Sequence, residues 1–161
     1  MRIVSISEDK KLEKRIAITP EIAKKYIALG FEASLPESYG EHLGFKDYEY
    51  KEVGVKISNN ENEIITEADV IVQLGLPSVD KISHIKENQT LIGVFDPYNN
   101  KKEIDILVKK KINVLSLELL PRITRAQSMD ILSSQANLAG YKAVIESFAN
   151  FEKAIPMMMT A

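Results

Sequence analysis

Short apolar runs alternate along this chain with segments whose apolar residues recur at helical spacing. β-Branched and aliphatic runs of four or five residues are typical of strands that are buried in a sheet. They predict strands at residues 3–6, 31–35, 70–74, 91–95 and 114–117. The segment 36–46 contains two glycines and is predicted to be a loop.

The best-defined helix start is the sequence Thr19, Pro20, Glu21. Threonine supplies a capping oxygen, proline fits the first helical position, and glutamate faces the positive end of the helix. Gly30 is placed to end this helix in the left-handed conformation. Further helical patterns occupy 63–67 and 102–110, and in the second the inward-facing residues are Ile104, Leu107 and Val108.

This alternation predicts an α/β fold with a mostly parallel sheet and helices on both faces, of the Rossmann or flavodoxin type. A long C-terminal helix is predicted from residue 133 to residue 153. We therefore expect an α/β domain at 1–132, which includes a polar loop at 118–133. Residues 133–161 would form the long helix and an apolar end that reads as a strand or core segment.

Composition excludes several kinds of function. The chain has 161 residues, 21 Lys plus Arg and 23 Asp plus Glu, so its charge gives no reason to expect nucleic acid as a partner. With no cysteine, it has no disulfides, thiolate nucleophiles or cysteine metal sites. His42 and His84 are expected to be exposed and have no partner at metal-ligand spacing, so no metal is predicted. We find no signal peptide and no run long enough to insert into a membrane.

The densest polar cluster lies at residues 122–137 and follows the strand predicted at 114–117. In open α/β sheets, ligands bind beyond the carboxyl ends of the strands. The same residues also allow a purely structural interpretation. In that case Ser133 or Ser134 would cap the long helix, and Arg122 or Arg125 would pair with Asp130.

Residues 118–130 read Glu-Leu-Leu-Pro-Arg-Ile-Thr-Arg-Ala-Gln-Ser-Met-Asp. This stretch resembles the signature of the N-terminal domain that alanine dehydrogenases share with transhydrogenase alpha subunits, and the similarity continues through 132–144. The segment 14–21 resembles the family's E-x-R-V-A-x-T-P opening, and 156–161 resembles the stretch before its glycine-rich fingerprint. The resemblance therefore covers nearly the whole chain.

The resemblance is closest to the NAD(H)-binding component, domain I, of proton-translocating NAD(P) transhydrogenases. It implies that the 118–133 loop orients the nicotinamide of NAD(H) during hydride transfer, with NADP(H) held by a partner domain and no metal. By motif match, Arg122, Gln127 and Asp130 are the catalytic residues, and these three bind the cofactor together with Ser133.

Alanine dehydrogenase is the competing branch. Its substrate-binding arginine is matched by Arg15, but Gly75 and Asp96 stand where that branch has a lysine and a histidine. Glycine cannot bind a carboxylate through a side chain, and an aspartate repels one, so amino-acid oxidation is disfavoured. Arg15 is then expected to be structural and paired with a nearby acid. A non-catalytic assembly domain is the third interpretation.

The seven glycines form no G-x-G-x-x-G motif, so this sequence lacks the phosphate-binding turn. The resemblance places that turn in a Rossmann domain beyond this chain, which is therefore expected to be truncated and inactive alone. The expected partners are a second copy of the chain, in a homodimer, and the NADP(H)-binding and membrane components of the transhydrogenase. The expected location is cytoplasmic, peripheral to the inner membrane through those components.

Overall fold

A computed structural model describes residues 1–154 and contains a six-stranded, fully parallel sheet in that range. The strand order is β3-β2-β1-β4-β5-β6, the order of the Rossmann fold. The strands are β1 Arg2–Val4, β2 Glu32–Pro36, β3 Lys56–Ser58, β4 Val70–Val72, β5 Thr90–Gly93 and β6 Asn113–Ser116. The predicted parallel α/β fold is thus confirmed, and β3 is the strand that the sequence pattern missed.

Six α-helices connect or follow these strands in the described residues. They are α1 Pro20–Ala28, α2 Asp47–Glu52, α3 Glu61–Glu67, α4 Val79–His84, α5 Lys101–Lys109 and α6 Ile131–Ala149. Short 3₁₀ turns lie at Glu41–Leu43, Leu117–Leu119 and Thr124–Met129. The predicted start of α1 is confirmed, because the Thr19 side chain accepts a hydrogen bond from the backbone N–H of Ile22. Gly30 follows the helix with a φ of 84°.

Two hydrophobic cores cover opposite faces of the sheet, because successive strand residues point to opposite sides. Ile3 belongs to the core that also holds Ala23 of α1 and Tyr50 of α2. Its neighbour Val4 belongs to the other core, which includes the buried isoleucines of α3 and α4 and Leu107 of α5. The prediction of helices on both faces is therefore confirmed.

Three local expectations are wrong. Val108 is 63% exposed, because the buried face of α5 is centred on Leu107 and turned toward Ile106. The segment predicted as loop contains the 3₁₀ turn Glu41–Leu43. His84 is half-buried on α4, while His42 is exposed as expected.

The chain divides into two compact units, Met1–Leu119 and Leu120–Ala161. The first contains the sheet and the second contains α6. The long C-terminal helix is confirmed at Ile131–Ala149. The apolar end at 155–161, predicted to be a strand or core segment, lies outside the described residues. Within the described range, no helix combines the length and apolar character needed to span a membrane.

Candidate functional site

In the second unit, the segment before α6 encloses a cavity of about 360 Å³. Its lining consists of Arg122, Ile123, Thr124, Ala126, Gln127, Asp130 and Ser133. All four residues that the sequence singles out for cofactor binding therefore line one cavity. Arg122, Gln127 and Ser133 are exposed, and Asp130 is half-buried.

Local hydrogen bonds fold this segment into its shape. The Ile123 N–H donates to the Pro121 carbonyl at 3.0 Å, which makes a tight turn after the proline. The Ala126 N–H donates to the Ile123 carbonyl at 2.9 Å and begins the 3₁₀ turn. The Ala126 side chain is buried and anchors the turn from below. Gln127 therefore stands on a turn that is held at both ends, since its carbonyl accepts from the Asp130 N–H at 3.4 Å.

Asp130 caps α6 through both carboxylate oxygens. Oδ1 accepts from the Ser133 N–H at 3.0 Å, and Oδ2 accepts from the Ser133 hydroxyl at 2.6 Å. The Ser133 hydroxyl, then its N–H, and also the charge of Arg122, lower the pKa of Asp130 below its usual value. The expectation that Ser133 or Ser134 is the cap is wrong: Asp130 has the extended backbone and free acceptors that this position needs. The Ser134 hydroxyl instead donates to the Ile131 carbonyl.

The chemistry of this cavity suits a planar amide. A guanidinium offers fixed donors, and a glutamine amide both donates and accepts. The hydroxyl of Ser133 already donates its proton to Asp130, so it presents an acceptor to anything else. Ile123 and Ala126 add apolar surface to the lining. In the described residues, no group of three or more histidine, aspartate or glutamate side chains could hold a metal ion.

The first unit has its own ligand-type position, at the carboxyl ends of β1 and β4, where the strand order reverses. Buried side chains fill it. The Tyr39 hydroxyl accepts from the N–H groups of Ala17 and Ile18, at 3.0 and 3.3 Å, so it donates to the Ser5 hydroxyl at 2.7 Å. Ser5 in turn donates to Gln73 Oε1 at 3.2 Å. This closed chain leaves no room for a dinucleotide pyrophosphate at the switch point.

Glu8 extends the chain toward the loop after β4. Its carboxylate accepts from the N–H groups of Leu74 and Gly75, at 2.6 and 3.3 Å, and hydrogen-bonds the Gln73 side chain. Burial nevertheless raises the pKa of Glu8 above its usual value. A Cβ on Gly75 would lie 3.4 Å from Glu8 Oε2, so Glu8 restricts the space for a side chain at that position.

We expect Glu8→Gln to raise the thermal midpoint at pH 7. A raised carboxyl pKa means that the fold favours the protonated form, so its stabilising effect is present below the unfolded pKa and lost as pH rises through the folded one. Glutamine removes the charge but keeps an oxygen to accept from Leu74. The expected gain at pH 7 is about 2–4 °C, the shift that roughly 1 kcal/mol gives a chain of this size.

Calorimetric scans at pH 4 and pH 7 measure this effect, and the gain should shrink toward pH 4. Glu21→Gln is the matched control, because Glu21 is exposed and paired with Lys25 on the surface of α1. A lower midpoint for Glu8→Gln at pH 7 would mean that the hydrogen bonds of Glu8 outweigh its burial.

The positions that distinguish alanine dehydrogenase have other partners here. Arg15 forms the expected ion pair, with Glu13 at 2.6 Å. Asp96 has a φ of 43°, and its carboxylate accepts from the Asn99 side chain at 2.7 Å. Ser5, Gln73 and Glu8 went unnoticed in the sequence, although Ser5 and Gln73 each directly follow a strand. That placement is the signal that could have found them.

Comparison with known proteins gives consistent matches. Residues 5–139 match the family model described as alanine dehydrogenase/PNT, N-terminal domain. The first of the separate pieces of NAD(P) transhydrogenase subunit alpha in Rickettsia prowazekii is 44% identical over 165 residues, covering all of this chain and 43% of that protein. The crystal structure of the transhydrogenase from Sinorhizobium meliloti superposes with a TM-score of 0.86 at 40% identity, covering 99% of this chain and 48% of that one.

An L-alanine dehydrogenase structure superposes with a TM-score of 0.81, but at 18% identity, over 91% of this chain and 40% of that one. This second likeness concerns the fold alone. The chain thus spans less than half the length of the proteins it matches. Since both branches share the fold, the residues of the sites must distinguish them.

Proposed function

This chain belongs to the alanine dehydrogenase/PNT N-terminal domain family, and on that premise we propose that it is a component of a proton-translocating NAD(P) transhydrogenase. Its role there is to orient the nicotinamide of NAD(H) while hydride passes to or from NADP(H) on a partner component. The observation that carries the proposal is the single cavity lined by Arg122, Gln127, Asp130 and Ser133. The name of the Rickettsia relative supports it.

The residues of the cavity fit a nicotinamide carboxamide. When bound, the reduced cofactor supplies the hydride from its ring. The Gln127 amide can donate to the carboxamide oxygen and accept from its nitrogen. Arg122 adds charged donors for the same oxygen, and the Ser133 oxygen is left as an acceptor for an N–H group.

No residue of the chain has to transfer a proton in this reaction. The lowered pKa of Asp130 keeps its carboxylate ionised at neutral pH, so it is unsuited to act as an acid. Its function is to hold the Ser133 hydroxyl and the first turn of α6 in place. Direct hydride transfer instead demands accurate ring placement, because rates depend steeply on the distance and angle of the reacting atoms.

Most of the affinity for NAD(H) is expected to come from outside this chain. The sequence has no G-x-G-x-x-G turn, and side chains fill the switch point of the first unit. We therefore assign phosphate binding to a Rossmann domain in a longer protein. NADP(H) binding and proton translocation belong to partner components, which would hold the assembly, as a homodimer, at the cytoplasmic side of the inner membrane.

Half-cofactor titration tests this proposal on the 161-residue chain. Reduced nicotinamide mononucleotide should shift the amide NMR signals of Ala126, Gln127 and Ser133. Adenosine monophosphate at the same concentration should not, because this chain offers it no phosphate-binding turn. NADH should bind more weakly than micromolar in calorimetry.

Two results would contradict the proposal. Equal shifts with both nucleotides would indicate nonspecific anion binding, and no shift with either would favour an assembly role for the loop. Pyruvate and alanine serve as the further controls. Shifts at Arg15 and Gly75 with pyruvate would favour the alanine dehydrogenase branch instead.

A further inference from the structure

Glu118 lies in the 3₁₀ turn Leu117–Leu119, directly after β6, and is not in the cavity. Its Oε1 accepts from two backbone N–H groups of the turn after β5, those of Phe95 at 3.0 Å and Asp96 at 2.5 Å. The carboxylate thus joins the ends of two neighbouring strands. It does so at the last residues of the first unit, two residues before the second unit begins.

The turn that Glu118 holds is strained and tightly packed. Asp96 has a φ of 43°, in the left-handed region that non-glycine residues adopt at a cost of about 1–3 kcal/mol. The Asn100 side chain donates to the Phe95 carbonyl at 2.8 Å. Two accepted N–H groups on one carboxylate oxygen are a strong way to maintain such a backbone, because charge-assisted hydrogen bonds are about twice as strong as neutral ones.

The other oxygen of Glu118 makes the arrangement costly. Oε2 is buried and has no hydrogen-bond partner among residues 1–154. A buried carboxylate with an unpartnered oxygen destabilises a fold unless its remaining bonds compensate. A charged group in this place therefore calls for a role beyond packing.

We propose that Glu118 is a positioning residue for the nicotinamide loop, an inference that rests on the proposed function. Its carboxylate fixes where the chain leaves β6, and Arg122 follows only four residues later. Because the loop is short and built by local hydrogen bonds, a displaced starting point moves the side chains that hold the ring. Binding depends on many contacts and tolerates such a shift, whereas hydride transfer loses about a hundredfold in rate for a 1 Å error.

The test compares Glu118→Ala with Glu118→Gln in a complete transhydrogenase that contains this chain. Glu118→Ala should slow the hydride step, measured by stopped flow, about tenfold or more, with NADH affinity changed less than about twofold. Glu118→Gln should restore most of the rate, because its Oε1 can accept from Phe95 and Asp96. Amide hydrogen exchange at these two residues should rise in the alanine variant and return toward normal in the glutamine variant.

Glu87→Ala is the matched control. Glu87 precedes β5, so it lies at the opposite edge of the sheet, and it pairs on the surface with Lys111. This variant should leave both rate and affinity unchanged. If Glu118→Ala does not fold, Glu118→Asp replaces it: the charge is kept but the reach is one methylene shorter, so the rate should still fall.

The outcomes separate this inference from the proposed function. An unchanged hydride step in Glu118→Ala, or in Glu118→Asp where that variant replaces it, would overturn the role of Glu118. The proposed function would still stand if Gln127→Asn slowed the step. Equal losses of rate and NADH affinity would overturn positioning in favour of a binding role. If neither the Glu118 nor the Gln127 variant changed the step, both proposals would fall.

Discussion

Gln127→Asn is expected to slow hydride transfer by about a hundredfold while NADH affinity changes little. The substitution keeps the amide but withdraws it by one methylene from the cavity that Gln127 lines. Most binding free energy comes from the rest of the nucleotide, so the shorter side chain scarcely weakens binding. The ring, however, loses the group that sets its angle, and a displacement of about 1 Å is enough for a loss of this size.

Stopped-flow measurement of the hydride step beside equilibrium NADH binding separates the two effects. Gln135→Asn is the matched control, because it makes the same chemical change on an exposed residue of α6 outside the cavity lining. If Gln127→Asn left the hydride step at the parent rate, the loop would be better explained as a helix cap and assembly surface.

Two neighbouring substitutions give contrasting expectations. Asp130→Asn should be milder, because asparagine keeps one oxygen to accept from the Ser133 N–H and nearly the same shape. Arg122→Ala should reduce both affinity and rate, since a charged donor to the cofactor is lost. A rate loss in Asp130→Asn larger than that in Gln127→Asn would place the ring against the carboxylate instead.

The sequence predicted most of the fold because its strands are apolar runs. Five of the six strands fall on such runs, whereas β3 has one apolar residue, Ile57, between Lys56 and Ser58. This strand forms by pairing with β2, where Ile57 lies opposite Leu35. Such a strand depends on its neighbour and leaves no periodic signal of its own. The strand order was also beyond the pattern, since alternation predicts parallel strands but not which ones are adjacent.

The candidate site was predictable in its residues but not in its construction. The motif at 118–130 identified Arg122, Gln127 and Asp130, and these residues line one cavity. The motif did not indicate that Asp130 is the cap of α6. Nor could the pattern find the switch-point network, because Ser5 and Gln73 are 68 residues apart and meet only once β1 and β4 are paired.

The tight packing at the carboxyl ends of β4 and β5 also escapes sequence analysis, and Gly93 is its centre. A Cβ at Gly93 would lie 2.2 Å from the Gln73 carbonyl oxygen and 2.6 Å from the Phe95 ring. The carbonyl cannot move freely, because the Gln73 N–H donates to the Ile92 carbonyl at 2.8 Å and the Val94 N–H to the Leu74 carbonyl at 3.1 Å. The Phe95 ring is fully enclosed in the core.

Gly93→Ala is therefore expected to lower the free energy of unfolding by about 3 kcal/mol, the upper range for overpacking a well-packed core. For a chain of this size the thermal midpoint should fall by roughly 6–12 °C. Urea unfolding followed by circular dichroism measures the change. The matched control is Gly140→Ala in α6, where an added Cβ meets nothing within 4 Å and alanine favours the helix by about 1 kcal/mol. Parent-like stability in Gly93→Ala would mean that β4 and β5 separate easily at their carboxyl ends, and a rigid base for Asp96 and Glu118 would then be lost.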